Sequence, residues 1–345
     1  MHTLTTRIIL SSCLLVRSVM SLATSTNTPR HIVVVGGGVQ GVSVAYQIAI
    51  QTASAAVKPA ITVLEAVQPA SAASGKGGGF MARSWGDGTP TQSLHETAFD
   101  MYEQLAVELG CESYRKLPVL SVSPGYQGIK AAAKNPTVRD ILPAWLDGAV
   151  GRVSCMGLGE DTAQITPKEF VDSMLRAASD RIQVVKGTCT GVETDQGSER
   201  ASRKVTAVTY QACSDNDNSD DSTTEGVLPA DVVIVSAGPW SCAAEDWFRG
   251  AVELPMEGIK STSIVWKKPQ DVDVDATALF CGEDNRFGTH CKCQQETTPY
   301  LVIQHCTCIL TKPRAAFLQW RFILVPTELF TFAVLVDRTT SIRKI

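Results

Sequence analysis

Apolar residues fall in two rhythms along this chain, and the first change of rhythm comes early. Ile32 to Val35 form a continuous apolar run, Gly36, Gly38 and Gly41 follow, and Val42, Ala45, Ile48 and Ala49 then recur on one helical face. That pattern predicts strand, tight turn and helix. A second apolar run, Ile61 to Leu64, ends on Glu65. Further on, Phe99, Tyr102, Leu105, Ala106 and Leu109 keep helical spacing and Gly110 offers a C-cap, which predicts a core-facing amphipathic helix with no chemical role. The segment Leu117 to Leu146, broken by Pro118, Pro124, Pro136 and Pro143, reads as short strands and turns of a second domain.

Thr166-Pro167-Lys168-Glu169 has the form of a capping box with proline at the first helical position, and Phe170, Val171, Met174 and Leu175 share the face that follows. A helix is expected there. "RIQVVKG" and "KVTAVTYQA" read as strands, and the acidic stretch Ser214 to Gly226 between strands as a solvated hairpin loop more than a cation site. In "ADVVIVSAGPWS", Ala230 to Ser241, the run Val232 to Val235 predicts a strand buried on both faces. It ends in Ala237-Gly238-Pro239-Trp240, a close turn at the carboxyl end of a strand, where open α/β sheets bind ligands.

The glycine spacing carries chemistry. Gly36 allows the sharp turn, Gly38 lets a pyrophosphate approach the backbone, and Gly41 lets the helix pack closely on its strand. The pyrophosphate would sit at the helix N-terminus. Glu65 is the first acidic residue in the chain, and its carboxylate is placed to accept hydrogen bonds from a ribose of an adenosine half. A glycine turn in an unrelated α/β unit is the alternative, against which the flanking strands and the terminal acid argue. Walker A is excluded, because Gly75-Lys76 is followed by Gly77 in place of Ser or Thr. The small-residue loop "SAASGKGGGFMARSW", residues 71 to 85, can bring backbone N–H groups against a ligand. By composition alone it would be a surface loop, and its place just after Glu65 points to the ligand.

With 345 residues, 44% hydrophobic and 19% charged, the chain is long enough for two domains with substantial cores. A net charge of -4 leaves no broad basic surface for a phosphate backbone, so nucleic acid is not an expected partner. Residues 1–29 carry Arg7 and Arg17, no acid, and a short apolar stretch, which fits a secretory signal, an organelle presequence or an unstructured terminus, and Arg17 within the apolar stretch favours the organelle presequence. The expected location is intracellular, cytoplasmic or organellar. No run reaches the about 18 apolar residues of a membrane span; Phe322 to Val336 comes nearest, interrupted by Pro326 and Glu328. Eleven cysteines read as an intracellular thiol pool more than a disulfide framework.

Taken together, these pieces resemble the D-amino-acid oxidase-like superfamily of FAD-dependent oxidoreductases, which contains glycine oxidase and sarcosine oxidase, and within it the fungal-type FAD-dependent oxidoreductases. The resemblance rests on "VVVGGGVQGVSVAYQIA", "ITVLEA", "ASAASGKGGGF", "ITPKEFVDSML" and "ADVVIVSAGPWS", in family order over about Arg30 to His290. It implies an α/β fold, with a Rossmann-like FAD-binding domain (30–88 and 158–245) interleaved with an α+β substrate domain (89–157 and 246–290) and an atypical tail (291–345). By resemblance, Gly36, Gly38, Val39, Gln40 and Gly41 would hold the pyrophosphate and Glu65 the ribose. Ser74, Gly75, Lys76 and Gly77 would lie near the flavin and phosphates, Val185 by the adenine, and Ala237, Gly238 and Trp240 would close the cofactor cleft. The chemistry implied is oxidation of a C–N bond of an amino acid or secondary amine, with hydride passing to flavin N5 and water hydrolysing the imine. No catalytic residue is assigned; His95 is read as structural, and Arg83 or Lys76 could pair with a substrate carboxylate.

Relatives in this superfamily end with a glycine- and histidine-containing turn leading into a final helix, and no such turn is found after "ALFCGEDNRFGTH". His290-Cys291-x-Cys293 and His305-Cys306-x-Cys308 could offer thiolate and imidazole to Zn²⁺, but the CxC pairs differ from C-x₂-C knuckles and no metal site is assigned. Two other readings stay open: a catalytically impaired flavoprotein that acts through binding, and an NAD(P)-dependent dehydrogenase.

Overall fold

A computed structural model describes residues 29–146, 149–195, 203–213, 224–250, 252–256, 259–267, 275–281, 322–326 and 330–341. Along the chain its elements are β1 (His31–Val35), α1 (Val39–Gln51), β2 (Ala60–Glu65), α2 (Ala73–Lys76), β3 (Phe80–Ala82), α3 (Gln92–Glu108), β4 (Arg115–Lys116), β5 (Val119–Gly128), β6 (Ala149–Gly157), β7 (Thr162–Gln164), α4 (Pro167–Ala177), β8 (Ile182–Thr194), β9 (Val205–Ala212), β10 (Glu225–Pro229), β11 (Val232–Val235), β12 (Ile259–Lys267), β13 (Ala278–Cys281), β14 (Phe322–Pro326) and β15 (Phe330–Ser341). The mixture of parallel strands, helices and antiparallel sheets is α/β, as expected. Described residues fall into two compact units, one drawn from Met1–Gln68, Ala178–Ala237 and Ala243–Glu253, the other from Pro69–Ala177, Gly238–Cys242 and Leu254–Ile345.

In the first unit one sheet runs β10-β9-β8-β2-β1-β11. The neighbours β8-β2-β1-β11 are parallel, and β9 and β10 continue antiparallel. The chain steps from β1 outward to β2 and β8 on one side, and returns to place β11 on the other. Ile32, Val33, Val34, Ile61, Val63 and Leu64 are buried, because central parallel strands are covered on both faces. The strand β11 differs from expectation. It lies at the sheet edge with β1 as its one neighbour in the sheet, and Val232 is 38% exposed, so it is half-buried instead of covered on both faces.

In the second unit a six-stranded sheet runs β12-β15-β14-β13-β5-β6 and a small one β3-β7-β4. The stretch Leu117–Leu146, expected as short pieces, holds the ten-residue β5 followed by short helices Ile129–Ala132 and Pro136–Asp140. The Asn135 side chain caps the second of these by accepting from Thr137 N at 3.0 Å. Helix α3 buries Phe99 and Ala106, and Gly110 follows it at φ +63°, the left-handed conformation that glycine supplies at a helix end.

Helix α4 starts at Pro167 as expected and buries Phe170, Val171 and Met174, but its first turn is not a closed capping box. The Glu169 carboxylate accepts from Glu112 N at 2.8 Å and Ser113 N at 3.1 Å, and also from the Ser113 hydroxyl. The Thr166 amide in turn donates to Ser113 Oγ at 2.8 Å. A turn 56 residues upstream has therefore taken the acid that the local pattern assigns to Thr166.

Within residues 291–345, Phe322–Pro326 and Phe330–Ser341 form β14 and β15, which pair antiparallel with each other. The near-apolar stretch there is thus two strands, and no helix among the described residues is long and apolar enough to cross a membrane. Residues 1–28 of the expected presequence or unstructured terminus, most of the acidic loop and the His290 to Cys308 zinc candidate lie outside the described residues.

Candidate nucleotide-binding site

The site in the first unit is built at the carboxyl edge of the parallel strands. Register places Val235, Val35, Leu64 and Val185 side by side on β11, β1, β2 and β8, so the residues just after them share one edge. Those residues are Ser236-Ala237, Gly36, Glu65 and Lys186. This is the edge at which open α/β sheets take ligands, next to the point where strand order reverses.

Steric limits explain the glycines. Gly36 sits at φ +111°, and a Cβ there would stand 2.3 Å from Ser236 O. Its amide donates to Leu64 O at 2.8 Å, which fixes the turn against β2. At Gly41 a Cβ would meet Gly36 O at 2.1 Å and Val34 Cγ1 at 3.2 Å, so only glycine lets the first turn of α1 lie on β1. Gly38 is the N-cap residue of this 13-residue helix, extended at φ -76° and ψ 176°, and brings no side-chain acceptor to the helix end. The macrodipole and the first-turn amides of Val39 and Gln40 therefore meet whatever approaches Gly38. A pyrophosphate fits such a cradle.

Glu65 closes the cradle from β2. Its Oε2 accepts from Gly37 N at 2.7 Å and its Oε1 from Val67 N at 3.0 Å. Gly37 had no assigned role in the sequence pattern, yet a Cβ on it would come within 3.0 Å of Glu65 Oε2. The three consecutive glycines were its only signal. Val185, half-buried on β8, stands beside Leu64, one residue before that carboxylate.

The second unit holds the remaining candidates. Ser74, Gly75 and Lys76 lie in α2, and Gly77 is its C-cap, donating to Ala73 O. A Cβ at Gly75 would stand 1.8 Å from Ala70 O, and Ala70 itself is left-handed at φ 57°. The loop is thus a tightly wound structure and not an open surface strand. Gly238, at φ +57° with nothing near its Cβ position, begins the 3₁₀ turn Gly238–Ala243, and Trp240 on that turn is 58% exposed. Arg83 donates through Nε to Asp100 Oδ1 at 3.2 Å, and this carboxylate raises its already high pKa. His95 packs on Gly86, whose Cβ would meet the ring at 2.8 Å, and lines a cavity of about 450 Å³ with Phe80, Trp85 and Tyr102. Burial pushes the Tyr102 phenol upward. Among the described residues no group of three or more His, Cys, Asp or Glu side chains could hold a metal ion.

Comparison with known proteins decides the family. The profile of the FAD dependent oxidoreductase family matches residues 31–291. The chain belongs to this family. FAD is therefore the family's cofactor, and the nicotinamide alternative is set aside. A Schizosaccharomyces pombe protein named as an oxidoreductase is 27% identical over 227 residues, covering 61% of this chain and 55% of its own. The chain thus spans about half the length of that curated relative. Among solved structures, glycine oxidase from Bacillus cereus aligns with TM-score 0.54 at 14% identity, over 89% of this chain and 71% of its own. L-proline dehydrogenase from P. horikoshii aligns with TM-score 0.52 at 13% identity, over 72% and 64%. At such identities the likeness is one of fold.

Proposed function

We propose that this FAD-dependent oxidoreductase oxidises a C–N bond of a small amino acid or secondary amine. The observation that carries the cofactor assignment is the steric cradle at Gly36 and Gly41 together with the Glu65 carboxylate at the same sheet edge. Support for the substrate class is the fold shared with glycine oxidase and L-proline dehydrogenase, whose names give an amino acid as substrate.

In this reading the backbone from Gly36 to Gly41, with Val39 and Gln40 opening α1, binds the pyrophosphate. Glu65 accepts from the ribose while it keeps the Gly37 amide. Val185 flanks the adenine. Ser74 to Gly77 lie against the phosphates and flavin, and Ala237, Gly238 and Trp240 close the cleft over it. Residues 30–88 and 158–245 serve the cofactor, and 89–157 and 246–290 the substrate. FAD, when bound, supplies at N5 an acceptor for the hydride that leaves the carbon beside the amine. For a substrate carrying a carboxylate, Arg83 is the assigned partner, with Asp100 giving up its place to the incoming group.

The test is the visible absorption spectrum of the purified full chain, before and after anaerobic addition of a panel of amino acids and secondary amines. Bound flavin bleached by one of them is the expected result. Protein that neither retains flavin nor takes it up on reconstitution overturns the proposal, and retained flavin that no amine bleaches favours a binding protein without turnover.

A further inference from the structure

Gln164, the last residue of β7, is 1% exposed, and its polarity serves no pattern of the local sequence. Both ends of its amide are engaged. Oε1 accepts from Arg115 Nε at 3.0 Å and from Arg115 Nη2 at 2.7 Å, and Nε2 donates to Gly78 O at 3.0 Å. The orientation is forced by chemistry, because a guanidinium only donates and a backbone carbonyl only accepts. One residue on, Ile165 N donates to Gly79 O at 3.1 Å. Gly79 stands at φ +67°, where a Cβ would be 1.7 Å from Ile165 O. The end of the Ser74–Gly79 loop is thus tied to β7 by a side chain, a backbone bond and a glycine that cannot be replaced.

We propose that Gln164 is a positioning residue for FAD, with Arg115 as its support; the inference rests on the reading that places Ser74 to Gly77 at the cofactor. Arg115 polarises the amide, the amide holds the Gly78 carbonyl, and the loop that carries Ser74 to Gly77 is kept in one place against β7 before any cofactor arrives. A buried side chain satisfied at both ends by rigid partners is suited to that task. Without it the loop would have to be ordered by the cofactor itself, at a cost in affinity.

The discriminating variant is Gln164→Glu. It keeps the shape and still accepts from Arg115, but at neutral pH it has no hydrogen to give Gly78 O. Gln164→Leu removes both bonds and serves as the comparison. Two readouts are taken on the full chain: the rate of tryptic cleavage after the exposed Lys76 without FAD, and the FAD dissociation constant by titration. The expected result for Gln164→Glu is faster cleavage at Lys76 and FAD binding weaker by about tenfold, the worth of one hydrogen bond, with a fall of a few degrees in the melting temperature of the FAD-free protein and no faster cleavage at lysines and arginines outside this loop. Wild-type cleavage and wild-type FAD affinity in Gln164→Glu would overturn it, as would cleavage that rises equally at sites throughout the chain. If the wild-type chain takes up no FAD, the cofactor reading itself has failed; cleavage at Lys76 is read without FAD and reports on the Gln164 anchor alone.

Discussion

The Gly37 amide donates to Glu65 Oε2 at 2.7 Å, so the fingerprint turn and the acid at the end of β2 are one hydrogen-bonded unit. A bond to an ionised acceptor in a part-buried place is worth more than a neutral one. Glu65→Gln keeps one acceptor and is expected to weaken FAD binding by about tenfold, and Glu65→Ala by about a hundredfold, since the latter also strands the Gly37 and Val67 amides. Fluorescence titration of the FAD-free protein checks both. Equal affinities for wild type and Glu65→Ala would remove Glu65 from the site.

The glycines separate by what surrounds them. Gly36→Ala and Gly41→Ala drive a methyl group into backbone carbonyls at 2.3 and 2.1 Å, which rigid strands cannot yield. Neither variant is expected to purify as folded protein. Gly238→Ala meets no atom and bears only the left-handed conformation, about 1 kcal/mol. Thermal unfolding should show a drop of a few degrees for Gly238→Ala alone. A stable Gly36→Ala protein would contradict the turn.

Much of this site was legible along the chain, because β1 and β11 are apolar runs and the glycine spacing is local. What depends on distant pairing was not. β11 reads as a central strand by its apolar run alone, yet strand order leaves it at the edge of its sheet. Glu169 fits a capping box three residues after Thr166, and a local pattern has no means of announcing that Ser113 competes for it. Gln164 gives no signal at all: its partners lie 49 and 86 residues away, and only the folded register of β7 between β3 and β4 brings them together.

Glu169 supplies a stability prediction. Glu169→Ala would unpair the amides of Glu112 and Ser113 together with the Ser113 hydroxyl, and is expected to cost about 2–3 kcal/mol. Loss of an N-cap side chain typically costs about 1 kcal/mol, so Thr166→Ala should be the milder variant. Chemical denaturation of the two variants gives the order. If Thr166→Ala proves the more damaging, the turn at residues 112–113 is not what holds α4.

Asp231 makes the first unit's stability depend on pH. Its Oδ2 accepts from Arg30 N at 2.7 Å and His31 N at 2.9 Å, clamping the start of β1 to the start of β11. These amides hold the carboxyl below its ordinary pKa, the His31 amide first. The folded value is the lower one, so the stabilisation is fully present above the ordinary carboxylate pKa of about 4 and is lost as pH falls through the folded value. Wild type should therefore melt higher than Asp231→Asn near pH 7, and the gap should close in strong acid. A gap that does not change with pH would show that the charge of Asp231 is not the source.

Cys242 lies two residues beyond Trp240, exposed, with its thiol directed to Pro239 O at 3.6 Å. The thiolate is the reacting species, so a buried thiol with a raised pKa alkylates slowly. Burial pushes both Cys189 and Cys281 up to about 11 and raises Cys111 as well. Iodoacetamide should therefore modify Cys242 well before these three, as read by mass mapping of the peptides. If the Gly238–Ala243 turn closes over FAD, saturating cofactor should slow alkylation at Cys242 and leave Cys155, on β6, at its own rate. Equal rates at Cys242 with and without bound FAD would detach Gly238 and Trp240 from the cofactor cleft while leaving Gly36, Gly41 and Glu65 in place.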